Sequence, residues 1–104
     1  VSEHVATVLL AAREAGSGVR GAVNLRYDPE TVAALGESHP TVEFDAERET
    51  REAVADAVAA ADRSADDEAE TLVAYQTGAV GVEPIVYVLA PTAAEAARIV
   101  RGLL

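Results

Sequence analysis

Eight short stretches of this chain alternate between helical and extended periodicity, and that alternation restricts it to a layered α/β arrangement. Residues 2–15 place Val5, Val8, Leu9 and Ala12 on one helical face, with Ser2 as a cap, Glu3 in the first turn and Gly16 as terminator. Residues 21–27 alternate as a strand, with Val23, Leu25 and Tyr27 on one face and Ala22, Asn24 and Arg26 on the other. Asp28-Pro29-Glu30 is a helix start, and the short helix should stop at Gly36. Residues 41–44 form a brief strand, and residues 47–62 a second long helix with Val54, Ala57, Val58 and Ala61 as its apolar stripe. After a polar, acidic loop at 63–70 come a strand at 72–76, a glycine-containing turn at 77–84 and a strand at 85–89. Thr92 and Glu95 have capping-box spacing before a last helix whose core face is Ala96, Ile99, Val100 and Leu103. The order is helix, strand, helix, strand, helix, strand, strand, helix, which predicts a sheet covered by helices on both faces.

At 104 residues there is room for one core, so residues 1–104 are read as a single domain. Its apolar content is largely Ala, with one Phe, three Tyr and no Trp or Met, so the core must rest on Val, Leu and Ile. A domain this small gains from area supplied by a partner or by further chain, and a homo-oligomer is one expectation. The chain opens at Val1 with a helix cap already at Ser2, which suggests a fragment of a longer protein.

Charge narrows the function classes. The formal net charge is −10, and all eight basic residues are Arg, with no Lys. Dense carboxylates on an Ala- and Val-rich chain without Lys suggest adaptation to high salt, where self-repulsion is screened. A surface this acidic argues against direct nucleic-acid contact. No stretch is long and apolar enough to span a membrane and no secretory signal is present. The absence of Cys excludes disulfides and thiolate metal sites and fits a cytoplasmic protein. No metal-ligand spacing and no Ser/His/Asp constellation stands out. Asp66, Asp67, Glu68 and Glu70 read as a solvated acidic loop, and His39, before Pro40, as a solvated loop residue.

Three polar motifs remain. Ser2 and His4 sit in a helical first turn, where free N–H groups and the helix dipole favour an anion and an imidazole could donate or transfer a proton. The plainer reading is a Ser cap beside a surface His. Asn24 and Arg26 share one face of an otherwise apolar strand: Arg26 could clamp a phosphate and Asn24 could read a ring edge, or both face solvent on an edge strand. Gly78 and Gly81 could let backbone N–H groups approach an anion, with Glu83 nearby, or could simply shape a hairpin. The segment is not a Walker loop, because it lacks Lys and Ser/Thr at the required places and no helix follows it.

Taken in order, these motifs resemble the ThiN-type thiamine-phosphate synthase domain. The resemblance rests on Ser2-Glu3-His4-Val5-Ala6-Thr7-Val8-Leu9-Leu10, on Arg20-Gly21-Ala22-Val23-Asn24-Leu25-Arg26-Tyr27, and on Gly78-Ala79-Val80-Gly81-Val82-Glu83-Pro84. It spans nearly the whole chain but only the C-terminal two-thirds or so of the family domain. It implies a three-layer α/β/α fold of the class II aldolase-like kind with a mixed, mostly antiparallel sheet. It also implies the joining of hydroxymethylpyrimidine pyrophosphate to hydroxyethylthiazole phosphate, giving thiamine phosphate and pyrophosphate. His4 then matches the family's functional His. Ser2, Asn24, Arg26, Gly78, Gly81 and Glu83 become binding candidates, with no metal or cofactor in this chain beyond Mg²⁺ accompanying a pyrophosphate substrate.

The chain also departs from catalytic members, which tend to carry a Lys where Val82 stands, an Asp near Gln76, and an Arg-Glu-Glu-Pro-like segment where Arg48-Glu49-Thr50-Arg51 stands. Losing a cation matters more for handling two phosphorylated substrates than for recognising one singly phosphorylated product. The same domain type occurs behind helix-turn-helix segments, as the sensor of thiamine-pathway repressors. The expectation is therefore a domain that binds thiamine phosphate, with the sensor slightly favoured. The other reading is a catalytic synthase domain, of the kind fused to a phosphomethylpyrimidine kinase.

Overall fold

A computed structural model describes residues 3–60 and 71–103. The elements run α1 (Glu3–Glu14), β1 (Gly21–Arg26), α2 (Pro29–Gly36), β2 (Thr41–Glu43), α3 (Thr50–Ala60), β3 (Leu72–Gln76), β4 (Ile85–Ala90) and α4 (Ala93–Arg101). This is the expected order, with ends shifted by a few residues.

The strands form one sheet in the order β1-β4-β3-β2. β4 pairs antiparallel with both β1 and β3, while β2 pairs parallel with β3. The sheet is therefore mixed and mostly antiparallel, as expected. Alternation along each strand divides its side chains between two cores. On one side Leu72, Ala74, Tyr87 and Leu89 meet Val8, Ala11 and Ala12 of α1 and Ala53, Val54 and Val58 of α3. On the other, Val73, Val86, Val88 and Ala90 meet Leu35 of α2 and Ala96 of α4, with Val23, Leu25, Tyr27, Ile99 and Val100 packed around them. Three layers, α/β/α, result. The fully buried Val8, Val54 and Val58 each contribute about 1.5–3 kcal/mol through burial, before entropy is subtracted.

Local chemistry sets the ends of the helices. α1 stops at a Schellman-type closure: Ser17 N–H donates to the carbonyl of Ala12 at 3.0 Å, with Gly16 at φ 101°. Asp28 caps α2, accepting from Glu30 N–H at 2.8 Å. Gly36 is the last residue of that helix rather than its left-handed terminator, and Glu37 follows in right-handed conformation.

Four expectations need correction. α3 begins at Thr50, not 47, because Asp45 ties the preceding residues into a turn: its carboxylate accepts Glu47 N–H at 2.8 Å and its carbonyl Arg48 N–H at 3.3 Å. Glu49 then caps the helix, its carboxylate accepting from Glu52 N–H at 3.1 Å. At α4 only half of the capping box forms. Thr92 accepts from Glu95 N–H at 3.0 Å, but the Glu95 carboxylate turns to Arg98. Leu103 lies beyond α4 and is 38% exposed, so it is not part of the core face. His39, expected in solvent, is half-buried. Ala61 and the acidic loop at 63–70 lie outside the described residues.

Candidate functional site

At one end of the sheet, the N-termini of α1 and α3 face the β3–β4 turn across a groove of about 730 Å³. Each wall is set by the elements behind it. α1 supplies His4 and Thr7, one turn apart on the same face. The start of α3 and the turn before it supply Ala46, Arg48, Glu49 and Thr50, and the turn supplies Gly81, Val82 and Glu83. The floor is Phe44, Gln76, Ile85 and Tyr87. The Tyr87 ring is 3% exposed and lies tilted against Phe44 at 6.3 Å. Burial pushes its phenol above the usual tyrosine range.

The turn is a hairpin. Ala79 and Val82 exchange two backbone bonds, N–H to carbonyl at 3.1 and 2.9 Å. Gly81 occupies the left-handed position at φ 77°, and Gly78 has φ 96°. The buried Gln76 side chain closes the base: its Nε2 donates to the Glu83 carbonyl at 2.6 Å, and its Oε1 accepts from Gly78 N–H at 2.6 Å. Three of the turn's N–H groups, those of Gly78, Ala79 and Val82, are thus consumed within the hairpin. This is the plainer of the two sequence readings.

Charge in the groove is mixed. Arg48 is the lining arginine, and its guanidinium is bonded to Asp56 at 2.8 Å, which holds it above the usual arginine range. Opposite it in sign stand Glu49, already capping α3, and the exposed Glu83. The lining offers one arginine and one histidine against two carboxylates. That balance suits a ligand with one anionic group and a compensating positive charge better than a cluster of anions.

Of the residues singled out from sequence, His4, Gly81 and Glu83 come together in the groove. Gly78 lines a neighbouring hollow with Glu43, Asp45 and Thr77. Asn24 stands opposite Tyr87 and Arg26 opposite Ile85, so both lie on the groove side of the sheet, although Arg26 lines a separate depression with Leu25 and Asp28. Both are exposed on an edge strand. Tyr27 packs on the opposite core and stacks on Tyr75 at 6.1 Å. Ser2 lies outside the described residues.

Sequence reasoning missed Thr7, Tyr87 and the structural part played by Gln76. Thr7 was legible as the residue three beyond His4. Gln76 carried a fainter signal, a polar residue ending an apolar strand on the face of Leu72 and Ala74.

The family model for thiamine-phosphate synthase ThiN matches residues 1–102. The fold is similar to the crystal structure of the C-terminal domain of phosphomethylpyrimidine kinase, with a TM-score of 0.77 at 20% identity over 99% of this chain and 61% of that one. It is similar also to the C-terminal domain of protein MJ0236, with a TM-score of 0.74 at 23% identity over 95% of this chain and 55% of that one. The chain thus spans about three-fifths of these solved domains. No curated protein matches it.

Proposed function

Because the chain belongs to the thiamine-phosphate synthase ThiN family, we propose that it binds thiamine phosphate in the groove between α1 and α3, as the ligand-sensing part of a thiamine biosynthesis regulator. The observation that carries this is the lining: Arg48, with His4 as a hydrogen-bonding partner, against Glu49 and Glu83, with Val82 apolar. Thiamine phosphate has one phosphate and a cationic thiazolium ring. His4, at the start of α1, is suited to the phosphate, and Glu83 to the cation. Two phosphorylated substrates, one of them a pyrophosphate, would bring far more negative charge than this lining balances.

One observation favours the catalytic alternative. His4 lines the groove, where an imidazole could assist departure of pyrophosphate while the thiazole nitrogen attacks. In that reading Mg²⁺ would enter with the pyrophosphate, held through its oxygens and at most a carboxylate such as Glu83. Among the described residues no group of three His, Asp or Glu side chains is arranged to hold a metal by itself. No helix of the described residues is long and apolar enough to cross a membrane; the cytoplasmic setting is part of the proposal. We read the acidic, lysine-free composition as adaptation to high salt.

A coupled assay for pyrophosphate release on the whole protein separates the two readings. The sensor reading expects no turnover of hydroxymethylpyrimidine pyrophosphate with hydroxyethylthiazole phosphate. Turnover that disappears in His4→Ala would establish the synthase instead.

A further inference from the structure

We propose that Gln76 is a positioning residue, whose side-chain amide fixes the β3–β4 hairpin so that Gly81, Val82 and Glu83 form one wall of the groove. The inference rests on the ligand-binding reading of that groove. Gln76 ends β3 and is 5% exposed, on the same sheet face as Leu72 and Ala74, so its amide must be paired internally. It is paired at both ends, and both partners belong to the hairpin. Nε2 donates to the carbonyl of Glu83, seven residues away, and Oε1 accepts from Gly78 N–H. One planar group therefore spans the hairpin base, where the β-ladder stops at the Gln76–Ile85 pair.

Beyond the clamp, the hairpin is closed by the Ala79–Val82 bonds at its tip, and Val80 is fully exposed. Among the described residues, no atom outside Gly81 and its two chain neighbours lies within 4 Å of where a Gly81 Cβ would stand. The wall accordingly takes its position from its base. A donor and an acceptor are both required, because the two partners are a carbonyl and an N–H. Among the side chains an amide supplies both on one rigid plane, and a carboxylate supplies only acceptors when ionised. Gln76→Glu would set a negative oxygen against the Glu83 carbonyl while keeping the bond to Gly78.

The test uses the full chain with thiamine phosphate as probe, read by calorimetry, together with amide hydrogen exchange at Gly78 and thermal melting. Gln76→Leu should speed Gly78 exchange at least tenfold and weaken thiamine phosphate about tenfold. Gln76→Glu should leave Gly78 protected and still weaken the ligand. Val58→Ala, in the core of α3 away from the groove, is the control for stability alone: it should lower the melting temperature with ligand affinity and Gly78 exchange unchanged. Wild-type affinity in Gln76→Leu, or unchanged Gly78 exchange, would overturn the proposal. If the wild-type protein itself gives no binding, the functional reading fails, and the exchange measurement still decides whether Gln76 holds the hairpin.

Discussion

Asn24 stands directly opposite Tyr87 in the β1–β4 ladder, so an exposed amide lies beside a buried ring that floors the groove. β1 is an edge strand, so Asn24 is free of packing demands on its own face. Its replacement separates recognition from folding. Asn24→Ala should change stability by no more than about 0.5 kcal/mol. It should weaken thiamine phosphate by roughly 2- to 10-fold, the worth of one hydrogen bond. Urea unfolding and calorimetry on the same variant check both halves.

Two glycines should respond to alanine for different reasons. A Cβ on Gly21 would fall 2.2 Å from the backbone nitrogen of Ala93, so β1 and the start of α4 could no longer meet as they do. Gly21→Ala should cost about 1–3 kcal/mol or more. At Gly81 there is open space, and only the left-handed backbone at φ 77° resists a side chain. Gly81→Ala should cost about 1–2 kcal/mol, and Gly81→Asn less, because Asn tolerates that conformation. A loss in Gly81→Asn as large as that in Gly81→Ala, read by urea titration, would contradict the account of Gly81.

Acid should unfold the protein partly through two carboxylates. Glu14, hydrogen-bonded by Arg51, and Glu95, hydrogen-bonded by Arg98, are both held below the usual glutamate range. A folded-state value below the unfolded one adds stability above the unfolded value of about 4.3. That contribution is lost as pH falls through the folded values. Both pairs are exposed, so each effect is small. Melting temperature should fall below about pH 4.3, and the slope should flatten in Arg51→Ala, where the link between α1 and α3 is removed.

Salt should stabilise the chain. Raising KCl from about 0.1 to 1 M shortens the screening length from roughly 10 to 3 Å. That weakens the Arg48–Asp56, Arg51–Glu14 and Arg98–Glu95 pairs, all of them exposed. It also relieves the mutual repulsion of 18 carboxylates, which 8 arginines only partly offset. Repulsion is the larger and longer-ranged of the two, so melting temperature should rise with KCl. A fall would count against salt adaptation.

The layers were legible because apolar periodicity is dense: Val5, Val8, Leu9 and Ala12 all turn inward on α1, and the β1 alternation of Val23 and Leu25 against Asn24 and Arg26 is kept. Asp28-Pro29-Glu30 announced α2 because cap and Pro chemistry is local. The start of α3 was not legible in the same way. Asp45 and Glu49 compete as turn-former and cap, and helix-favouring residues between them hide the boundary. The groove was half visible. His4, Gly81 and Glu83 could be named from motifs, but their meeting depends on tertiary placement of two helix N-termini around Tyr87. The role of Gln76 was hidden for the same reason, since its partners are backbone atoms that only the folded hairpin presents.

The most direct test is calorimetry of thiamine phosphate with the whole protein and with His4→Ala. The account expects saturable binding to the wild type. It expects affinity about tenfold or more weaker in His4→Ala, the loss of one charge-assisted bond to phosphate. Absence of binding to the wild type, or identical affinity in the variant, would contradict a thiamine phosphate site at the start of α1.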